Sequence, residues 1–124
     1  MAHSLRVLLA DSDGATRNAL ALLLRRKWGL RAVGEAADGA TFTRALAESQ
    51  PELVLLVWAL LDRPGLQALQ DMRRAHPHLR LAILSVDSAH AAEAEALNAV
   101  FIHKGSAAAQ VLEQLRALVE MCPG

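Results

Sequence analysis

Short apolar runs alternate with amphipathic segments along the whole chain, with a period of about 22 residues. The apolar runs predict five β-strands, at residues 5–10, 31–36, 52–58, 79–86 and 100–103. The segments that follow them predict five α-helices, at residues 15–28, 39–49, 64–75, 88–97 and 106–121. Strict alternation favours an α/β fold, because helical crossovers are what join parallel strands. We therefore predict an open, doubly wound, five-stranded parallel sheet in three α/β/α layers.

Local signals support these boundaries. The third run is apolar at every position from Leu53 to Val57, which is typical of a central strand buried on both faces. Gly29 is a suitable residue to end the first helix. Asp38 can cap the start of the second helix, and Pro64 suits the first turn of the third.

Length and charge exclude several classes of protein. The chain has 124 residues, which suits one domain over residues 1–124, and its 13 basic and 13 acidic residues cancel. A neutral chain lacks the electrostatic footprint of a nucleic-acid binder. The single cysteine, Cys122, supports neither a disulfide framework nor a metal site. No apolar stretch approaches the ~20 residues of a membrane span. We expect a cytoplasmic domain that contacts neither nucleic acid nor membrane.

In open parallel sheets the functional side chains gather where the strands end at their carboxyl side. Several chemically informative residues fall at or just after those ends: Asp11, Ser12, Asp13, Val57, Ser85 and Lys104. The residue that breaks this set is Val57, which is an aliphatic side chain in the most central position.

The order and spacing of six motifs resemble those of the receiver domains of two-component response regulators, a flavodoxin-like (βα)5 family. The motifs are RVLLADSD at 6–13, VGEAADG at 33–39, PELVLLVW at 51–58, PGL at 64–66, LAILS at 81–85 and FIHKG at 101–105. The resemblance extends from Arg6 to Val119. The VGEAADG motif and the first strand, taken together, especially resemble the receiver domains of the branch that carries helix-turn-helix output domains.

The resemblance implies a phosphoacceptor aspartate at the end of the third strand and a carboxylate pair that holds Mg²⁺ after the first. Asp11 matches the first carboxylate of that pair, with Asp13 close behind. Ser12 stands where the directly ligating carboxylate belongs, and Val57 stands at the phosphoacceptor position. Ala59 matches a position that offers Mg²⁺ its backbone carbonyl, which any residue can do.

The family's remaining functional positions are better preserved. Ser85 matches the hydroxyl that binds the phosphoryl group, Lys104 matches the lysine that pairs with it, and Phe101 matches the aromatic switch residue. Leu61 replaces the proline that is usual in the loop after the third strand. The departures at positions 12, 57 and 61 therefore fall on the phosphorylation and metal machinery, and the scaffold is kept.

These substitutions predict a degenerate receiver, a pseudo-receiver, that cannot carry out the usual phosphotransfer. Valine has no oxygen with which to form an acyl phosphate, and a single well-placed carboxylate should bind Mg²⁺ weakly or not at all. We expect a non-enzymatic module that acts by protein–protein interaction. The family implies a partner surface on the fourth helix, fifth strand and fifth helix, which here begins at about Ala89 and ends at about Glu120. A second copy of the chain is one such partner.

Plainer structural roles for the same residues stay open. Asp11 and Asp13 suit a turn and a helix cap. Ser85 could bond a backbone group at the strand end, and Phe101 could be a core residue. Lys104 could pair with Asp11 across the pocket or remain in solvent.

Two other functions also stay open. One is a working receiver that uses another acceptor, for which Asp62 in the loop after Val57 could be proposed, and that regulates transcription through an output domain absent from this chain. A flavodoxin-like sheet could instead bind a small ligand such as a flavin. Trp58 is expected to pack under the third helix or to line the rim. The histidines lack metal-ligand spacing and are expected to be solvated: His3, His76, His78, His90 and His103.

Overall fold

The computed structural model of the protein describes residues 5–60, 65–103 and 108–120. The strands within them are β1 (Arg6–Ala10), β2 (Arg31–Ala36), β3 (Leu53–Val57), β4 (Arg80–Ser85) and β5 (Val100–His103). The helices are α1 (Gly14–Trp28), α2 (Gly39–Ser49), α3 (Gly65–Ala75), α4 (His90–Ala96) and α5 (Ala108–Glu120). The predicted alternation of five strands and five helices is confirmed.

The five strands form one parallel sheet in the order β2-β1-β3-β4-β5. The chain therefore starts near the middle, winds to one edge at β2, returns through β3 and ends at the other edge with β5. The switch in winding direction lies between β1 and β3, where Ala10 pairs with Leu56. Ligand sites in open α/β sheets lie at such a switch point, outside the carboxyl ends of the strands.

Two apolar cores lie on opposite faces of the sheet, since successive strand side chains point to opposite sides. On one face Leu8, Val54 and Ile83 pack with Phe42 of α2 and Met72 of α3, in a core that α4 also joins. We call this the α2–α4 core. The opposite core joins alternate strand residues to α1 and α5, and its members include Leu9, Leu55, Val57, Leu84, Leu24 and Leu115. We call it the α1/α5 core.

The ends of several elements differ from the predicted ones. Trp58 was predicted as the last residue of the third strand, but it begins a 3-10 turn that continues to Leu60. Leu60 was predicted in a loop, and it is buried in the α2–α4 core. α4 is shorter than predicted, because it starts at His90 and not at Ser88. The differences at Trp58 and Leu60 arise because apolar residues continue beyond the last paired residue of β3, which hydropathy alone does not reveal.

The predicted helix signals at Gly29 and Asp38 are both confirmed. Gly29 has a φ of 68°, a left-handed conformation that glycine adopts without steric cost, and its N–H bonds to Arg25 at the end of α1. The carboxylate of Asp38 accepts a hydrogen bond from the N–H of Thr41 at 2.8 Å. Both signals could be read from sequence because they act over only a few residues.

Candidate functional site: the carboxyl edge of β1, β3 and β4

Val57 ends β3 at the centre of the sheet, and its side chain is only 5% exposed. It belongs to the α1/α5 core together with Leu55 and Leu84. Its backbone pairs with Leu84 on β4. The position that the resemblance assigns to a phosphoacceptor is thus occupied by a packed hydrocarbon side chain with no oxygen to offer.

Asp11 follows β1 directly and is 2% exposed. The next pair beyond Ala10 and Leu56 would set Asp11 beside Val57 on the neighbouring strand. Its Oδ1 accepts a hydrogen bond from the N–H of Asp13 at 3.0 Å, and its backbone carbonyl accepts one from Arg17 Nη1 at 2.5 Å. The carboxylate therefore helps to shape the β1–α1 turn.

Asp13 caps helix α1. Its Oδ1 accepts from the N–H of Ala15 at 3.0 Å, and its Oδ2 accepts from the hydroxyl of Thr16 at 2.8 Å. Both oxygens are thereby engaged with the helix start, so the predicted turn and cap chemistry is present at this residue. Ser12, between the two aspartates, is exposed to solvent.

These residues do not fit the Mg²⁺ ion that the receiver family implies. Magnesium favours an octahedron of oxygen ligands that usually includes one or two carboxylates. Val57 supplies no oxygen, Ser12 supplies a neutral one, and the carboxylate of Asp13 serves as the α1 cap. Ala59 is exposed in the 3-10 turn. Within the described parts of the chain, no group of three or more His, Cys, Asp or Glu side chains is placed to hold a metal.

Ser85, Trp58 and His90 form a connected polar and aromatic cluster beside this edge. Ser85 ends β4, is 5% exposed, and its Oγ lies 2.7 Å from His90 Nδ1. The same oxygen accepts from the N–H of Asp87 at 3.0 Å. The imidazole of His90 stacks on the indole of Trp58, with ring centroids 3.9 Å apart and an interplanar angle of 14°. We call Ser85, His90 and Trp58 the β4–α4 clamp.

The clamp corrects one prediction. His90 was expected in solvent, but it bonds Ser85 and stacks on Trp58. Trp58, expected under the third helix or on the rim, is half-buried against the α2–α4 core, and its ring also contacts the first residue of α4. No local signal in the sequence identifies this contact, because the two rings lie far apart along the chain and meet only once the sheet order is set.

The remaining candidates are placed as follows. Phe101 on β5 is half-buried and packs against the α2–α4 core, in agreement with a core role. Lys104, Leu61 and Asp62 lie outside the described residues. Asp11 directly follows β1 and Val57 ends the neighbouring strand β3, and separately Ser85 bonds His90.

The five parallel strands in the order β2-β1-β3-β4-β5, with helices on both faces, form a receiver-like fold, and comparison with known proteins identifies the family. The family model for the response regulator receiver domain matches residues 7–116. The chain belongs to the response regulator receiver domain family.

Curated relatives are regulators of the same kind. The response regulator GacA of Pseudomonas viridiflava is 26% identical over 115 residues, which are 90% of this chain and 54% of GacA. The uncharacterized transcriptional regulatory protein YhcZ of Bacillus subtilis is 26% identical over 81 residues, which are 65% of this chain and 38% of YhcZ. The chain thus spans about half the length of these relatives, or less.

Solved structures agree on the fold. A two-component response regulator of the LuxR family from Aurantimonas sp. SI85-9A1 is 26% identical, with a TM-score of 0.82 over 95% of this chain and 86% of that one. The response regulator domain of CheB from Thermotoga maritima, 24% identical, has a TM-score of 0.80 over 98% of this chain and 100% of that one. Response regulators of this kind include regulators of transcription. In the described part of this chain, no helix has the length and apolar character needed to cross a membrane.

Proposed function

We propose that this receiver domain acts through protein–protein contacts and without accepting a phosphoryl group. The observation that carries the proposal is the buried Val57 at the end of β3, where it forms part of the α1/α5 core. An acyl phosphate forms only on a carboxylate oxygen, and valine has none. Because the acceptor is missing, phosphorylation at this position cannot set the balance between two arrangements of the domain.

The metal half of the site supports the same proposal. Phosphoryl transfer depends on positioning and on neutralisation of charge by a divalent ion. Asp13 caps α1 and Ser12 is neutral, so Asp11 remains as the principal acidic group of the pocket. We propose that Mg²⁺ binds weakly or not at all. We also propose that the domain is not an enzyme and that it works in the cytoplasm.

The proposed partner surface comprises α4, β5 and α5. β5 is an edge strand of the sheet, so one side of its backbone is not paired to another strand of this domain. His103 at its end is exposed, and α5 presents Glu113 and Arg116 to solvent. An edge strand flanked by two helices offers both backbone and side-chain contacts to a protein. A second copy of the chain is one candidate partner.

Control of the domain would then come from a partner that prefers one of its arrangements. A ligand shifts an equilibrium only by the difference between its affinities for the two states. The relatives are longer than this chain, so we propose that regulation of transcription would require a region beyond it. Whether the natural reading frame continues past Gly124 tests that part directly.

The phosphorylation part is tested by incubating the chain with acetyl phosphate and Mg²⁺ and measuring its intact mass and its migration on a phosphate-sensitive gel. We expect no added phosphoryl mass. A Val57→Ala variant is the matched control, because it also lacks an oxygen at this position. Stoichiometric labelling mapped by peptide mass spectrometry to Asp11, to Asp62 or to any other residue of the chain would overturn the proposal.

The interaction part is tested by sedimentation velocity over a concentration series. We expect self-association that weakens when Glu113 and Arg116 are both replaced by residues of opposite charge. These two side chains form an ion pair at 3.2 Å, three residues apart on α5. Reversing both charges keeps an ion pair within the helix and changes the positions of the charges that face a partner. A concentration-dependent dimer that the reversal leaves unchanged would place the interface elsewhere.

A further inference from the structure

Helix α4 has little of its own to hold it in place. It has seven residues, His90–Ala96, and its N-cap, Ala89, makes no side-chain capping bond. Helices shorter than about 12 residues are marginal in water without tertiary contacts. Ala94 is the α4 residue that is fully buried in the sheet-facing core. Two backbone bonds of 3.1 Å close the turn before α4, from His90 N–H to Asp87 O and from Ala91 N–H to Ser88 O, and side-chain contacts join the helix start to the sheet.

His90 makes those contacts. Its Nδ1 lies 2.7 Å from Ser85 Oγ at the end of β4, and its ring stacks on Trp58 just after β3. The turn that leads to it is closed by Asp87, whose N–H donates to Ser85 Oγ and whose Oδ1 accepts from the N–H of Ala89 at 2.9 Å. The first helical residue is thereby joined to the ends of two neighbouring central strands.

The hydrogen-bond pattern also engages the hydroxyl of Ser85. Its oxygen accepts from the N–H of Asp87 at 3.0 Å and also lies in the 2.7 Å bond to Nδ1 of His90. Either atom can be the donor in that second bond, because a hydroxyl has one proton and two lone pairs. Ser85 is thus bonded to a side chain of α4, without any added group at the edge of the sheet.

We propose that His90 is a positioning residue that fixes the start of α4 against β3 and β4 and so sets the α4 part of the partner surface from within the chain. The role of that surface in binding a partner rests on the proposed function. The effect of His90 on the local stability of α4 does not, because it can be measured on the isolated chain. The β4–α4 clamp holds His90 by the hydrogen bond to Ser85 and the stack on Trp58, and Nε2 of His90 also lies 3.9 Å from Oδ2 of Asp87.

Amide hydrogen exchange of α4 tests the clamp. We expect the α4 amides to exchange about tenfold faster in His90→Ala, since a hydrogen bond and an aromatic contact are both lost. His90→Asn can keep a bond to Ser85, and His90→Phe can keep the stack. Each of these two should show about a threefold increase. Glu95→Ala, on the same helix but exposed, is the control and should exchange like the wild type.

A spectroscopic signal separates positioning from general destabilisation. In a Trp28→Phe background the fluorescence comes from Trp58 alone, because the chain has two tryptophans. His90→Ala should change that emission, and His90→Phe should restore a stacked environment. Amides of β1 and β3 should keep their protection in every variant.

Unchanged α4 exchange in His90→Ala would overturn the proposal, as would strictly additive effects of Ser85→Ala and His90→Ala in the double variant. A loss of protection spread evenly over the sheet would also overturn it. None of these measurements involves a phosphoryl donor or a partner. Failure of the clamp is therefore distinguishable from failure of the proposed function, which labelling and sedimentation test.

Discussion

Val57 shows how an apolar side chain at the end of a central strand contributes to stability at the position where the family places its phosphoacceptor. It lies in the α1/α5 core with 5% of its surface exposed, beside strand residues that are all buried. A carboxylate at position 57 would lie among apolar side chains on the strand next to Asp11. Its charge would not be offset by a cation at this site. Burial and a like charge both disfavour the ionised form.

Replacement Val57→Asp alone should therefore lower the free energy of unfolding by about 3 kcal/mol near neutral pH. The pKa of the introduced carboxyl should be raised in the folded state. The penalty should be present above that raised value and shrink as the pH falls toward the unfolded value of about 3.9, because both states are then protonated. Urea denaturation across this pH range measures both effects.

Val57→Asn is the matched control, since it is polar and nearly isosteric with aspartate but does not titrate. Its loss of stability should not change with pH over the same range. Equal stability of the wild type and Val57→Asp near neutral pH would show that this edge of the sheet is still built to receive a carboxylate.

Sequence reasoning at the residue scale succeeded where a role depends on chemical type and failed where it depends on a distant neighbour. The absence of an oxygen at Val57 and the cap at Asp13 both follow from the residue and its immediate context. The stack of His90 on Trp58 does not, because it joins residues from different βα units. Histidine and tryptophan are compatible with many environments, so neither residue type indicates its partner.

At the scale of elements, the start of α2 depends on Asp38. The hydroxyl and then the N–H of Thr41 donate to its carboxylate, which lowers the pKa of Asp38 below 3.8. A lowered folded-state pKa means that the ionised form is bound more strongly in the folded protein. Its contribution to stability is complete above 3.8 and is lost as the pH falls through the lower, folded value.

We expect Asp38→Ala to melt at a lower temperature than the wild type at neutral pH, with the difference shrinking in acid as the wild-type cap is protonated. Asp38→Asn should keep a capping oxygen and lose this pH dependence. Thermal unfolding followed by circular dichroism over an acid series measures both. A difference between wild type and Asp38→Ala that stays constant into strong acid would contradict the role of the ionised carboxylate.

Arg73 of α3 joins two connections, α3–β4 and α4–β5, at the amino-terminal edge of the sheet. Its Nη1 donates to Leu79 O at 2.6 Å and its Nε to Leu97 O at 2.9 Å, which ties α3 to the approach to β4 and to the turn after α4. Longer bonds reach three further carbonyls, those of His76, Pro77 and Asn98. Burial lowers the pKa of the guanidinium, and it stays charged because arginine titrates far above neutral pH.

Arg73→Ala should lower the free energy of unfolding by about 2 kcal/mol, because several part-buried carbonyls lose a charged donor. Arg73→Lys should recover part of this loss, since its ammonium has three donors and no planar fork. Arg74→Ala is the neighbouring control: Arg74 is 77% exposed and pairs with Asp71 at 3.6 Å, so its loss should cost less than about 0.5 kcal/mol. Chemical denaturation compares all three, and similar losses for Arg73→Ala and Arg74→Ala would contradict the structural role.

At the scale of the whole molecule, the alternation of runs predicted the parallel sheet, its five helices and most boundaries within two residues. The order of the strands in the sheet, and which strand residues face which core, could be read only from the tertiary structure. Val33 shows why hydropathy alone is not enough. β1 pairs Val7 with Ala32 and Leu8 with Gly34, so Val33 has no partner in the register of β1 and β2, and it is 42% exposed although it is apolar. Gly34 also lets α2 approach, since a Cβ there would lie 3.0 Å from Leu8 Cδ1 and 3.3 Å from Ser49 Oγ.

The preserved scaffold leads to a prediction about the whole domain. If only the reactive groups were lost, Ser12→Asp combined with Val57→Asp should restore Mg²⁺ binding, because the added carboxylates would join Asp11 at the switch point between β1 and β3. Bound metal should relieve the charge repulsion that destabilises Val57→Asp alone. Mg²⁺ at 100 times its Kd would add about 2.7 kcal/mol to the stability of the double variant.

Thermal unfolding with and without MgCl₂ measures this gain, and CaCl₂ and NaCl at matched ionic strength control for screening. The wild type and the Ser12→Asp variant should show no Mg²⁺-specific shift, since each still lacks a carboxylate at position 57. A double variant that folds but gains nothing from Mg²⁺ would mean that the backbone of this edge has moved away from metal-binding geometry. The loss of phosphotransfer would then involve the scaffold as well as the side chains at positions 12 and 57.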